Sequence, residues 1–310
     1  MENSNETASR GKYLFAAFLA PFIWGFMSIP VRWIRDYPAE DILYFRIITA
    51  LLVLWIYLLL FRRKTMTADI HKFRLLPRTG KLRQICLTLL ASGLIFGNWF
   101  TYIYAVNHIS IQSAALAYLT CPLITAAGAY IILREQLTLW QKIALFIAFG
   151  SVCLLANGSL NDVLWAATIA TCYAFYLIVQ RVSTGFDKLH QLVVQLSICA
   201  LFVIPKLIYN HHAIPAEPLF WGTIFLIASL FTIIPLFLSM YALIGISSTT
   251  TGVLLYINPL IAFTLAVAYF QEPVSPIKYV AYGIILLAII LFNIKNIKET
   301  FSGSRAQAKG

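Results

Sequence analysis

Polar and aromatic side chains interrupt the long apolar stretches of this sequence at positions that suit solute binding. Asn98 and Tyr102 are four residues apart, so they share one face of a helix, and Trp99 lies beside them. An unpaired amide in hydrocarbon is unfavourable by several kcal/mol. Asn98 therefore faces the protein interior, where it either binds a solute or bridges two helices, and the pattern leaves both roles open.

Two prolines inside apolar stretches have similar polar and aromatic neighbours. Tyr118 precedes Pro122, and Tyr256 and Asn258 precede Pro259. A proline within a helix frees the carbonyl four residues earlier. In a membrane that carbonyl needs a partner, a water-filled cavity or a ligand, so both segments are candidates for a binding site, and a kink relieved by a neighbouring hydroxyl is the alternative.

A third proline and further aromatic residues also lie within the apolar stretches. Pro235 frees the carbonyl of Phe231 in the same way. Trp24 lies deep in the first apolar stretch, and Tyr176 follows Tyr173 by three residues on a shared helical face. These residues are predicted to line a cavity.

Charge inside the apolar stretches is confined to one arginine. Arg46 lies about six residues into its stretch, which is about 9 Å deep at 1.5 Å per residue. An ionised group there is a functional candidate: it either attracts a carboxylate-bearing solute or pairs with Glu40 or Asp41. All 12 acidic residues fall in loops, tails or helix ends. The sequence therefore favours a neutral, zwitterionic or anionic solute over a cation driven by a carboxylate relay.

The elements that hold these residues are predicted from composition. Hydrophobic residues make up 60% of the 310 residues and charged residues 11%, against about 25% charged in soluble domains. The mean hydropathy is +0.81. These values exclude a soluble enzyme, a nucleic-acid-binding protein and a disordered chain, and runs that are apolar on every side exclude a transmembrane β-barrel. We predict an all-α polytopic protein with ten transmembrane helices, at about residues 12–34, 40–61, 83–106, 111–133, 139–157, 160–180, 189–209, 217–243, 247–270 and 276–297.

The net charge is +11, and the distribution of the basic residues along the chain predicts the orientation of the protein in the membrane. With the N-terminus inside, most of the 23 Lys and Arg residues fall in cytoplasmic loops, as the positive-inside rule requires. Both termini are therefore predicted to be cytoplasmic. The expected partners are membrane lipids and a small-molecule substrate, with no nucleic acid, and the chain is predicted to be a monomer or a homodimer.

No catalytic site, cofactor or metal is predicted. The five cysteines lie in apolar spans without a CxxC pair, and His211 and His212 stand in a loop without further ligands. A Walker A motif is absent, so ATP does not drive this chain directly. The sequence predicts that the protein is not an enzyme.

An internal repeat divides the chain into residues 1–157 and 158–310, the second ending in a short cytoplasmic tail. Aligning Pro122 with Pro259 also aligns Glu135 with Glu272. Five spans per half is an odd number, so the halves insert in opposite senses, an arrangement found in secondary transporters with a site near the midplane. Glu135 is then predicted at the inner surface and Glu272 at the outer. Together with Arg46, these prolines and glutamates are assigned gating or structural roles.

The order of these motifs resembles the EamA family of the drug/metabolite transporter superfamily, over about residues 12 to 295. Asn98-Trp99, Ala117-Tyr118 and Pro122 resemble its RarD-like, or chloramphenicol-sensitivity, branch, as do Tyr256 and Pro259. The chain departs from that branch in having Cys121 where an asparagine precedes the fourth-span proline. The resemblance implies a bacterial inner-membrane transporter, usually an exporter of small metabolites, with a cavity between the central spans of both halves.

The leading hypothesis is a secondary transporter, an exporter or a facilitator, that works by alternating access on a small organic metabolite or drug-like solute such as an amino acid or aromatic compound. The alternatives are a passive channel or lipid scramblase and, less favoured, a membrane-embedded lipid-modifying enzyme. The predicted substrate-binding residues are Trp24, Asn98, Trp99, Tyr102, Tyr118, Tyr176, Tyr256 and Asn258.

Overall fold

All regular secondary structure in the described part of the chain is helical, because a helix satisfies its own backbone hydrogen bonds in hydrocarbon. The computed structural model describes residues 2–108, 111–155, 160–209, 214–271 and 276–307. Its helices are α1 Glu2–Gly25, α2 Ser28–Trp33, α3 Ala39–Phe61, α4 Arg63–Leu75, α5 Arg78–His108, α6 Ile111–Ile132, α7 Leu139–Leu155, α8 Leu160–Val182, α9 Lys188–Tyr209, α10 Pro218–Ala228, α11 Ile234–Gly245, α12 Ser248–Leu254, α13 Ile257–Ala268 and α14 Pro276–Gln307, with a π-helical turn at Ser229–Ile233.

Eight helical stretches among the described residues are long and apolar enough to cross a membrane, and each overlaps a predicted span. They are Gly11–Trp33, Ala39–Phe61, Arg78–Tyr102, Val163–Val182, Lys188–Tyr209, Pro218–Gly245, Ser248–Leu265 and Pro276–Ile294. Two shorter apolar helices, Leu116–Ile132 and Leu139–Leu155, lie at the fourth and fifth predicted spans. The prediction of an all-α polytopic membrane protein is confirmed.

Helix α4 lies where the sequence predicted only a basic loop. Its residues are too polar for a span, so a search for long apolar runs does not find it. It packs on the α8–α9 loop: Asp69 Oδ2 is 2.5 Å from His190 Nδ1, and Arg62 Nη2, one residue before α4, is 2.6 Å from Asp187 Oδ2. These contacts fix a surface helix against the start of α9.

Three of the spans are interrupted near aromatic or proline residues. The first predicted span breaks between α1 and α2, and the eighth predicted span, 217–243, contains the π-helical turn. The ninth predicted span, 247–270, breaks between α12 and α13 at Leu255 and Tyr256. Pro259 lies in the first turn of α13, where a missing N–H removes no helical hydrogen bond. Pro122, in contrast, lies inside α6, which is continuous. The two segments that carry these prolines therefore differ in backbone form.

The two halves of the chain interleave. Helix α6 packs along α8, α7 along α14, α1 along α11 and α3 along α9. The α7–α14 contact includes a hydrogen bond from Ser151 Oγ to the Ala281 carbonyl, 2.8 Å long. Hydroxyl-to-carbonyl bonds of this kind help join helices where lipid removes the hydrophobic drive for association.

Two turns that end helices have the same unusual conformation. Arg134, after α6, has φ 54°, and Gln271, after α13, has φ 51°. Left-handed backbone is unfavourable for residues other than glycine. Arg134 and Gln271 have the same separation in sequence as Pro122 and Pro259.

Candidate functional site

The guanidinium of Arg46 lies against aromatic rings of α5 and α6. Its Cζ is 5.0 Å from the centroid of the Trp99 ring, a distance at which a cation is attracted to the ring face. Its charge also interacts with the hydroxyls of Tyr102 and Tyr118. The Tyr102 and Tyr118 rings pack edge to face with centroids 5.6 Å apart. Helices α3, α5 and α6 thus place one cation among three aromatic side chains.

Arg46 has no acidic partner in the described part of the chain. No carboxylate there lies within salt-bridge distance of it, and the pairing with Glu40 or Asp41 that the sequence left open is not made. Arg46 Nε is buried without a hydrogen-bond partner among these residues. Tyr118, one of the neighbouring aromatic residues, is 37% exposed.

A second aromatic group joins α1 to α8 and to the eighth span. The Trp24 and Tyr173 rings are 5.9 Å apart and edge to face, and the Tyr173 and Tyr176 rings stack at 5.7 Å. Trp24 Nε1 donates a hydrogen bond of 2.8 Å to the Phe231 carbonyl. This is the carbonyl that Pro235 leaves free, so its predicted need for a partner is met by the indole.

The two groups meet around Cys121. Cys121, Tyr173 and Tyr256 are buried in one packed core, and Trp24, Trp99 and Tyr102 pack against it. The buried Tyr173 and Tyr256 hydroxyls have no hydrogen-bond partner among the described residues. We call the whole set the aromatic cluster: Trp24, Trp99, Tyr102, Tyr118, Tyr173, Tyr176 and Tyr256, with Arg46 at one end.

The two predicted asparagines make different contacts. Asn98 is buried, and its Nδ2 donates 2.9 Å to the Ile169 carbonyl, which is the helix-bridging role that the sequence left open. Asn258 is half-buried at the start of α13. Its backbone N–H donates 3.1 Å to the Leu255 carbonyl, the carbonyl that the sequence predicted Pro259 to leave free.

Glu135 joins the end of α6 to the start of α12. Its Oε1 accepts the Ser248 N–H at 2.8 Å, and its Oε2 accepts the Thr249 N–H at 3.0 Å and the Thr249 hydroxyl at 2.7 Å. The left-handed turn at Arg134 places Glu135 there. We call this contact the Glu135 latch; its predicted counterpart, Glu272, lies outside the described residues.

An amide network that sequence reasoning missed supports the cluster from α8 and α9. Gln180 Nε2 donates 2.9 Å to Gln195 Oε1, and the Tyr176 hydroxyl donates 3.3 Å to the same oxygen. All three side chains are buried. The cost of an unpaired amide in hydrocarbon, used above for Asn98, would have identified both glutamines.

An apolar groove between α1 and α13 lies outside the aromatic cluster. Its volume is about 470 Å³. The polar hydroxyl in its lining, Thr264, donates to the Leu260 carbonyl of its own helix. Within the ranges that the structure describes, no three His, Cys, Asp or Glu side chains are placed to hold a metal ion. The groove residues are Phe22, Phe26, Ile257, Leu260, Ile261, Thr264, Leu265 and Leu286.

Comparison with known proteins assigns this arrangement to a family. The model of the EamA-like transporter family matches residues 11–157 and again residues 161–294. An uncharacterized transporter of Bacillus subtilis, YojE, is 28% identical over 89% of this chain and 91% of its own. Protein RarD of Salmonella typhi is 29% identical over 89% and 92%, and protein RarD of Streptomyces exfoliatus is 26% identical over 94% and 90%. A solved crystal structure with 16% identity superposes with a TM-score of 0.71 over 91% of this chain and 97% of that chain, which shows a shared fold.

Proposed function

Because the chain belongs to the EamA-like transporter family, we propose that it moves a small organic solute across the bacterial inner membrane by alternating access. It is a multi-pass membrane transporter, as the family match and its eight span-length apolar helices show together. The family and the names of its relatives are those of transporters, not of enzymes. The proposal adds that the protein is an exporter or a facilitator and that its two halves rock against each other.

The proposed architecture is ten spans in two inverted halves, residues 1–157 and 158–310. Supporting it, the family model matches once in each half, and the two shorter apolar helices supply a fourth and a fifth span. The left-handed turns at Arg134 and Gln271 recur at positions that the repeat aligns. The distribution of Lys and Arg supports cytoplasmic termini.

The observation that carries the mechanism is the aromatic cluster, since residues of both halves form it. Helix α6, which carries Tyr118 and Cys121, packs along α8, which carries Tyr173, and against α12, which Tyr256 follows. Aromatic faces offer a stacking surface to an amphipathic solute, and the unpartnered Tyr256 hydroxyl offers a hydrogen bond. Rocking one half against the other would open the cluster first to one side of the membrane and then to the other.

The Glu135 latch is the contact that we assign to closing one side. It bonds the turn that follows α6, in the first half, to the first turn of α12, in the second half. With the N-terminus inside, it lies at the cytoplasmic surface. The described structure then has its halves joined on that side, and exchange of solute with the cytoplasm requires the latch to break.

Counterflow in reconstituted vesicles tests the proposal. A carrier shows saturable counterflow of a solute identified by thermal-shift screening of amino acids, nucleosides and aromatic metabolites. We expect Tyr118→Ala to lower the counterflow rate at least tenfold, with unchanged yield and elution volume. Tyr130→Ala on the same helix is the matched control, since Tyr130 is 50% exposed away from the cluster. Flux that rises linearly with concentration would instead identify a pore and end the alternating-access proposal.

A further inference from the structure

Arg46 is a cation inside the membrane whose charge no described carboxylate balances. It lies about 10 Å along α3 from Ala39, at 1.5 Å per residue. A guanidinium has five N–H donors and stays charged in proteins. The Trp99 face attracts the charge but accepts no conventional hydrogen bond from the fork. Among the described residues the guanidinium therefore has no carboxylate to balance its charge, and its Nε has no acceptor.

The surroundings of Arg46 also define the shape of the missing group. The guanidinium fork matches two coplanar oxygens, as in a carboxylate. Trp99, Tyr102 and Tyr118 enclose it with aromatic faces. Tyr118 is 37% exposed, so part of this aromatic surface is accessible. An anion with a flat apolar body fits both features.

We propose that Arg46 anchors the carboxylate of the transported solute, which is a small organic acid with an aromatic or apolar body packed on Trp99, Tyr102 and Tyr118. This inference rests on the proposed function and names its substrate class. A cationic solute is disfavoured, because it would meet the Arg46 charge with no described carboxylate to offset it. A neutral solute can accept a hydrogen bond from Arg46 Nε but would leave the guanidinium charge unbalanced.

Three probes with one apolar body separate the charge states: 3-phenylpropanoate, 3-phenylpropanamide and 3-phenylpropylamine. Their affinities for the purified full chain are measured by calorimetry and by thermal shift. Hydrogen bonds to a charged group are stronger than neutral ones, so we expect the carboxylate to bind at least about tenfold more tightly than the amide. We expect the amine to bind most weakly. Equal affinity for carboxylate and amide, or preference for the amine, overturns the inference.

Variants assign the preference to Arg46. Arg46→Gln should bring the carboxylate-to-amide ratio to within twofold of unity while affinity for the amide stays the same. Arg46→Lys keeps the charge without the fork, so its carboxylate-to-amide affinity ratio should lie between those of the wild type and Arg46→Gln. If Arg46→Gln is not recovered folded, Arg46→Lys is used for the test. Arg35→Gln is the matched control, because the Arg35 side chain is 79% exposed. A ratio that survives Arg46→Gln overturns the assignment.

Lipid headgroups are a second source of anions, and the vesicle composition separates them from solutes. Counterflow of 3-phenylpropanoate is measured in phosphatidylcholine vesicles with and without phosphatidylglycerol. Equal rates support a solute carboxylate at Arg46, and a rate abolished by the anionic lipid assigns the fork to a headgroup and overturns the inference. Saturable counterflow without preference for the carboxylate refutes this inference but leaves the proposed function standing. Linear flux of all three probes refutes the proposed function.

Discussion

Replacing Glu135 with glutamine removes the negative charge of the latch and keeps nearly the same side-chain volume. The carboxylate accepts three hydrogen bonds, from two backbone N–H groups and one hydroxyl. Hydrogen bonds to charged groups contribute about 1 kcal/mol more than neutral ones, and the glutamine –NH₂ would face an N–H group. Because the contact is only part-buried, we take about 2 kcal/mol as the loss for the latched state.

A loss of about 2 kcal/mol changes the ratio of latched to open states by about 30-fold. A protein that is latched 99:1 would become about 3:1. Ser248 reports the change, since it is fully buried at the latch. The open fraction rises from about 1% to about 25%, so in a background without native cysteines Ser248→Cys should react with a membrane-impermeant maleimide about 25 times faster when Glu135 is replaced by glutamine.

Glu217→Gln is the matched control for this measurement. Glu217 also precedes a helix, α10, but its side chain makes no capping hydrogen bond there. We expect its replacement to leave the Ser248→Cys labelling rate unchanged. The reasoning would be refuted by a Glu135→Gln rate within twofold of wild type, or by equal acceleration from both replacements.

Three further predictions concern thermal unfolding of the purified protein in detergent. Trp24→Phe removes the donor to the Phe231 carbonyl and should lower the unfolding free energy by about 1–3 kcal/mol; an unchanged Tm would mean that water replaces the indole. Gly252→Ala places a Cβ 2.7 Å from Thr125 Cγ2, so a loss of about 1–3 kcal/mol is expected from overpacking, and Thr125→Ser should recover part of it. Arg134→Gly relieves a φ of 54° and should raise stability by about 1 kcal/mol; a lower Tm would show that the Arg134 side chain stabilises the turn.

Much of the fold could be predicted because hydrocarbon imposes few solutions on a backbone. Apolar length located the spans, and the chemistry of proline predicted that the Phe231 carbonyl would need a partner. The aromatic residues that form the cluster were also predicted one by one. Their grouping around Cys121 was not, because it depends on how α6, α8 and α12 pack.

The periodicity of apolar residues could not predict contacts between segments that are far apart in sequence. Helix α4 is amphipathic and polar, so it has the composition of a loop, and its attachment through Asp69 and His190 joins segments far apart in sequence. The partner of Glu135 depends on where α12 begins, which the sequence predicted only as part of one long span. The Asn98 amide could be predicted to face inward, but its acceptor, the Ile169 carbonyl, lies on another helix.

The break at Leu255 and Tyr256 gives the ninth predicted span a hinge between α12 and α13. The N–H groups of Leu255, Tyr256 and Asn258 bond to carbonyls three residues earlier in the chain. Bending there therefore does not break a continuous series of α-helical hydrogen bonds. Helix α12, on one side of the hinge, holds the Glu135 contact, and α13, on the other side, packs on α1. When the latch breaks, the seven residues of α12 can therefore turn about this hinge as one half of the chain rocks against the other.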